Sequence, residues 1–215
     1  MVLFQNGIKN NIMKTIDNYI NEKLKISKLT KHQYTCKPKD PDELWEILEE
    51  RLEQDKNADL NDIDVSEITD MGDLFADLDP HNIDISGWDV SNVQNMRFMF
   101  DYCDNFNCDL NNWDVSNVKD MKCMFRDCKK FDCNLSDWNV SNVEDMAFMF
   151  NNCYSFNGDL SNWNVSKVTN MYDMFFKCRK FTGEGLENWK VSKDTGKYDM
   201  FGDCPSLKNK PSWYK

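Results

Sequence analysis

The chain has 215 residues, 40 % of them hydrophobic and 29 % charged, with a formal net charge of −11. This length and balance fit a soluble chain of one extended domain or two small ones, and they exclude the overall basic character of a nucleic-acid binder. No apolar run approaches the ~18 residues that a membrane span requires. The charge is uneven: residues 1–39 hold eight Lys against two acids, residues 40–89 two basic residues against eighteen acids, and residues 90–215 sixteen against seventeen. The central acidic block reads as a solvated face. Met1 to Asn11 lacks the apolar core of a secretory signal, so the sequence as it stands predicts a cytoplasmic location.

In chain order, Ile8, Ile12, Ile16, Ile20 and Leu24 recur every four residues and predict an amphipathic helix with lysines on its polar side. Three uses suit such a helix: folding onto the rest of the chain, docking in a partner's groove, or lying on an anionic membrane. Residues 28–39 read as a polar connector. A second helix is expected from Pro41, with Leu44, Trp45, Ile47, Leu48 and Leu52 as its apolar stripe. Residues 1–58 are thus an N-terminal helical region, residues 59–204 a repeat array, and residues 205–215 a tail or cap.

The array is defined by its period. Trp88, Trp113, Trp138 and Trp163 are spaced by 25 residues, Trp189 follows at 26, and Trp213 closes the series. In the same phase run columns of valine (Val65 to Val191), methionine (Met71 to Met171), phenylalanine (Phe75 to Phe201) and cysteine (Cys103 to Cys204, with Leu78 in the first place). Residues 59–64 form a half unit with Ile63 in the tryptophan slot. One such unit cannot bury its apolar face, whereas stacked copies turn each column into a continuous core. Within a unit, Met96, Met99, Phe100 and Cys103 have the spacing of one helix face, and Asn95 stands where a helix cap would. Trp113 and Val115 alternate as in a short strand. The expected fold is therefore an α/β solenoid of about six units, each a short helix plus a short strand, with an N-terminal helical cap.

The string from Leu110 to Val118 (Leu-Asn-Asn-Trp-Asp-Val-Ser-Asn-Val), followed by Met121, Met124, Phe125 and Cys128, resembles the BspA-like leucine-rich-repeat family of bacterial surface proteins. The resemblance covers about residues 59–204. It implies a right-handed leucine-rich-repeat-like solenoid, a role in adhesion or protein recognition at the cell surface, and neither catalytic residues nor a cofactor. Residues 191–215 drift from the pattern, as a C-terminal cap would.

Chemistry is sparsely signalled. His32 and His81 stand in unrelated contexts, and no nucleophile–base pair or glycine-rich phosphate loop is recognisable. Cys103 and Cys108, like Cys123, Cys128 and Cys133, are five residues apart, wider than the usual zinc pair. Stacked equivalents would leave Cβ atoms ~5 Å apart against the ~3.8 Å of a disulfide, so buried thiols are expected. No metal, cofactor or catalytic residue is assigned. What varies from unit to unit is the segment after the Phe100 column. Arg126, Lys129 and Lys130 fall there in the third unit, Tyr154 in the fourth, and Lys177, Arg179 and Lys180 in the fifth. These seven residues predict a basic, aromatic-bearing patch for a protein partner with an acidic surface. A surface-adhesive or structural role is the second functional reading, and an enzyme or metal-binding protein the weakest.

Overall fold

A computed structural model of the protein describes residues 34–76 and 78–215. The amphipathic helix expected between Ile8 and Leu24 lies outside the described residues.

Helix α1 spans Pro41–Gln54. Its start is fixed reciprocally. The Asp40 carboxylate accepts the Glu43 N–H at 2.9 Å, and the Glu43 carboxylate accepts the Lys39 N–H at 2.8 Å, satisfying amides that have no partner inside the helix. Proline at the first helical position has no N–H to leave unsatisfied. Leu44, Leu48 and Leu52 recur every four residues, are fully buried, and join one cluster with Leu60 and Ile63. Trp45 and Ile47 flank them, partly buried. Arg51 reaches Asp62 at 2.6 Å. The helix thereby shields the apolar start of the repeat array.

Two segments differ from their sequence reading. Part of the expected polar connector is paired: Cys36 bridges Ile63 in parallel, with Thr35 N–H donating to the Asp62 carbonyl at 2.9 Å and Asp64 N–H to the Cys36 carbonyl at 2.9 Å. At the other end, residues 193–199 lose the side-chain pattern but keep the pairing. Gly196 bridges Asn170, and Lys177 N–H donates to the Gly202 carbonyl at 2.8 Å.

The short helix expected in each unit is a pair of tandem turns. Met99 N–H returns to the Met96 carbonyl and Cys103 N–H to the Phe100 carbonyl, with Phe98 and Tyr102 at φ 57° and 60° in the third place of each turn. A left-handed third residue marks a type II turn. Each four-residue turn buries its first and last residue. Two in succession therefore bury Met96, Met99, Phe100 and Cys103, the same i, i+3, i+4, i+7 spacing that a helix face shows. The alternate amides leave the unit: Met96, Phe98, Phe100 and Tyr102 N–H donate to the carbonyls of Asp120, Lys122, Met124 and Arg126 at 2.8–2.9 Å. The expected strand at Trp113 and Val115 is likewise absent. Pairing is through isolated parallel bridges along Asp70, Asn95, Asp120, Asp145, Asn170 and Gly196.

The polar residues between the columns close local turns. Asp114 accepts the Ser116 N–H at 3.0 Å and Asn95 accepts the Arg97 N–H at 3.0 Å, the Asx-turn role of these side chains. Others tie neighbouring units, as Asn117 does by donating to the Ser91 carbonyl at 2.7 Å.

Inside, equivalent rings stack from unit to unit. Trp88 lies 6.5 Å from Trp113, Phe100 5.6 Å from Phe125, and Phe106 6.0 Å from Phe131. Each indole N–H of the six-membered column from Trp88 to Trp213 is satisfied by a carbonyl of the preceding unit. The cysteine column does the same: the Cys128 thiol donates to the Phe100 carbonyl and the Cys153 thiol to the Phe125 carbonyl, both at 2.9 Å. No disulfide joins any of the nine cysteines. Burial raises the Cys128, Cys153 and Cys178 thiols far above the usual thiol range.

Candidate recognition surface

In four units one variable residue directly follows a buried cysteine, so its position is set by the core. Cys103, Cys128, Cys153 and Cys178 point inward without exposure. The next residues are Asp104, Lys129, Tyr154 and Arg179, and they turn outward. Because equivalent residues sit one unit apart, side chains 25 apart in sequence meet in space. Lys129 pairs with Asp104 at 2.6 Å. The Arg179 guanidinium lies over the Tyr154 ring, 4.2 Å from its centroid, a favourable cation–π arrangement.

Three positions earlier along the turn, Arg126 lies beside Asp101. Its Nε donates to Asp101 at 2.7 Å, and its terminal nitrogen closes the second arm of a bidentate pair. Asp101 is only 5 % exposed. Burial pushes its carboxyl up from the ordinary carboxylate range, the adjacent guanidinium draws it back, and the same contact holds Arg126 protonated. Arg126 also lies 5.0 Å from the Tyr102 centroid and 5.4 Å from that of Phe98.

The expected patch of six positive charges is therefore smaller. Arg126 and Lys129 are neutralised by Asp101 and Asp104 of the preceding unit. Lys130, Lys177, Arg179 and Lys180 have no ion pair among the described residues. Lys177 lies over the Phe176 ring at 5.1 Å, and Lys130, Arg179 and Lys180 are exposed. A shallow depression of about 470 Å3 is lined by Lys177 and Arg179 together with Asp203, Cys204 and Pro205. Asn151, three positions before Tyr154, is buried.

The two ion pairs were visible in the sequence. Asp101 and Arg126, like Asp104 and Lys129, stand one period apart, and in a stack that separation means contact. The reading also missed Tyr172 and Tyr198, which occupy one slot in successive units at 46 % and 80 % exposure. They project from the tandem turns, one position after the methionine column, where no apolar residue is expected.

No group of His, Cys, Asp or Glu side chains among the described residues is arranged to hold a metal ion, and no described helix is long and apolar enough to cross a membrane. No curated protein and no solved structure matches the chain. A family model described as "Mycoplasma protein of unknown function, DUF285" matches twice, over residues 46–139 and 111–214. The overlapping matches take in every full tryptophan-bearing unit and well over half of the sequence, and the chain accordingly belongs to the DUF285 family.

Proposed function

We propose that the chain is a non-catalytic protein-recognition module, built as a right-handed leucine-rich-repeat-like solenoid of the BspA-like kind. Its binding site is the surface of Lys130, Tyr154, Lys177, Arg179 and Lys180, and its partner presents an acidic face. One contrast carries this reading. Cys103, Cys128, Cys153 and Cys178 are identical and buried, while the residues immediately after them are Asp104, Lys129, Tyr154 and Arg179. The interior demands uniformity because each unit must fit the next. The exterior is released from that demand, which is how repeat arrays present varied binding surfaces on a constant frame. Four cations without a fixed counter-charge, with a tyrosine among them, combine the steering charge and the aromatic anchor that protein interfaces use.

The test starts by placing a photo-crosslinking residue at position 154 to identify the partner in the source cell. The affinity of the purified pair is then measured. Changing Lys130, Arg179 and Lys180 together to Glu is expected to weaken binding by roughly 10–100-fold and to flatten its salt dependence, with unchanged thermal unfolding. Equal affinity at low salt for the triple variant and the parent would remove the site from this surface.

A further inference from the structure

The turn ladder has a direction. In the second to fifth units four alternate N–H groups donate forward, and the carbonyls between them accept from behind. Met121, Cys123, Phe125 and Asp127 donate to the carbonyls of Asp145, Ala147, Met149 and Asn151 at 2.8–3.0 Å. An ordinary strand mixes donors and acceptors along each edge. Here the two edges differ in kind. The last unit uses the carbonyls of Gly196, Tyr198, Met200 and Gly202 to accept from the unit before it. The N–H groups of Lys197, Asp199, Phe201 and Asp203 then face outward with no acceptor among the described residues. In the first unit the N–H groups of Met71, Asp73 and Phe75 point to the second unit. The carbonyls of Asp70, Gly72, Leu74 and Ala76 receive no donor among the described residues.

We propose that these edges pair between molecules, the donor edge of one copy docking on the acceptor edge of the next. Each edge carries four groups on every second residue, the spacing by which successive units already pair. Joining two like edges would set N–H against N–H, so symmetric pairing is disfavoured and the contact is head-to-tail. Charge points the same way. Residues 59–89, around the acceptor edge, carry ten acids and no Lys or Arg, whereas residues 190–215, around the donor edge, carry six Lys and three Asp. Tyr198, the most exposed of the large hydrophobic side chains described, stands on the donor edge. A contact of this kind leaves a donor and an acceptor edge open after each addition, so it propagates.

Sedimentation velocity of the full chain tests this at low salt, over concentrations reaching about 1 mM, where a few unassisted backbone bonds begin to hold molecules together. The expected result is a series that lengthens with concentration, passes the dimer and shortens with added salt. Lys208→Glu with Lys210→Glu, which lie outside the ladder, is expected to weaken association at least about tenfold. Adding Lys197→Pro removes a donor as well. Mixed into the parent at about one part in ten, that triple variant is expected to shorten the series, because it docks through its intact acceptor edge and ends growth. Failure to associate, a plateau at the dimer, or a series indifferent to both variants would overturn the proposal. The double variant keeps it testable if the proline variant does not fold.

Discussion

The indole Nε1 of Trp138 donates to the main-chain carbonyl of Leu110, one unit earlier, at 3.0 Å. The ring is also stacked 6.5 Å from that of Trp163. One side chain thus fills the core of its own unit, supports the next, and satisfies a polar atom of the one before. Trp138→Phe keeps most of the ring and loses the hydrogen bond, for an expected cost of about 1–2 kcal/mol. Trp138→Ala leaves a large cavity between three units and is expected to cost about 3–5 kcal/mol. Denaturant unfolding checks both, and a phenylalanine variant as damaged as the alanine variant would contradict this division of roles.

Lys177 stands in the left-handed region at φ 60°, in the same turn place as Tyr102, Asp127 and Asn152. A side chain there crowds its own backbone, most severely when branched at Cβ. Lys177→Gly is expected to leave stability level or raise it by up to about 1 kcal/mol, since relief of crowding offsets the added freedom of the unfolded chain. Lys177→Val is expected to lower stability by about 1–2 kcal/mol. Equal melting temperatures for the two variants would mean that the tandem-turn geometry is wrong at this position.

The buried thiols make a prediction about pH. Burial raises Cys108 and Cys204 to about 11 and Cys123 and Cys133 to about 12, and raises Cys128, Cys153 and Cys178 as well. In the unfolded chain thiols titrate near ~8.5. The folded state keeps these protons where the unfolded state loses them. Their contribution to stability is therefore complete below about pH 8.5 and is lost as the pH climbs toward 11–12. Urea midpoints are expected to vary little across neutral pH and to fall above about pH 9, less steeply in a Cys128→Ala, Cys153→Ala variant. Thiol reagents should modify Cys103, Cys128, Cys153 and Cys178 only after unfolding. Rapid modification of these four in the native protein at neutral pH would show the column open to solvent.

The period, the columns and the helix over Pro41–Gln54 were legible because each leaves a mark at fixed spacing. Leu44, Leu48 and Leu52 read as a helix and form one, with the Asp40 and Glu43 side chains closing its start. The backbone inside each unit was not legible, because spacing reports which side chains face inward and not how the backbone brings them there. Met96, Met99, Phe100 and Cys103 are inward-facing in a helix and in tandem turns alike. Two counter-signs were present. An eight-residue segment is short for a helix. The third place of the turn holds Asp73, Asp173 and Asp199 in three units, and aspartate tolerates the left-handed region better than most residues. The basic patch is smaller than chain order suggests for a related reason. Arg126 and Lys129 are neighbours along the chain, but each meets an acid, Asp101 or Asp104, one period away.

The claim that each unit stands on its neighbours alone is tested most directly by removing one. Deleting residues 115–139 joins Asp114 to Val140, restores the Trp-Asp-Val-Ser string, and brings the N–H groups of Met96, Phe98, Phe100 and Tyr102 opposite the carbonyls of Asp145, Ala147, Met149 and Asn151, which already accept from the deleted unit. Tryptophan fluorescence during denaturant unfolding is the measurement, with deletion of residues 115–127, half a unit, as the reference. The account predicts that the whole-unit deletion keeps buried tryptophans and unfolds cooperatively at a somewhat lower midpoint, as expected where stability sums over units and their interfaces, while the half-unit deletion does not fold. Equal loss of folding in the two deletions would contradict it, because the core would then depend on contacts beyond adjacent units.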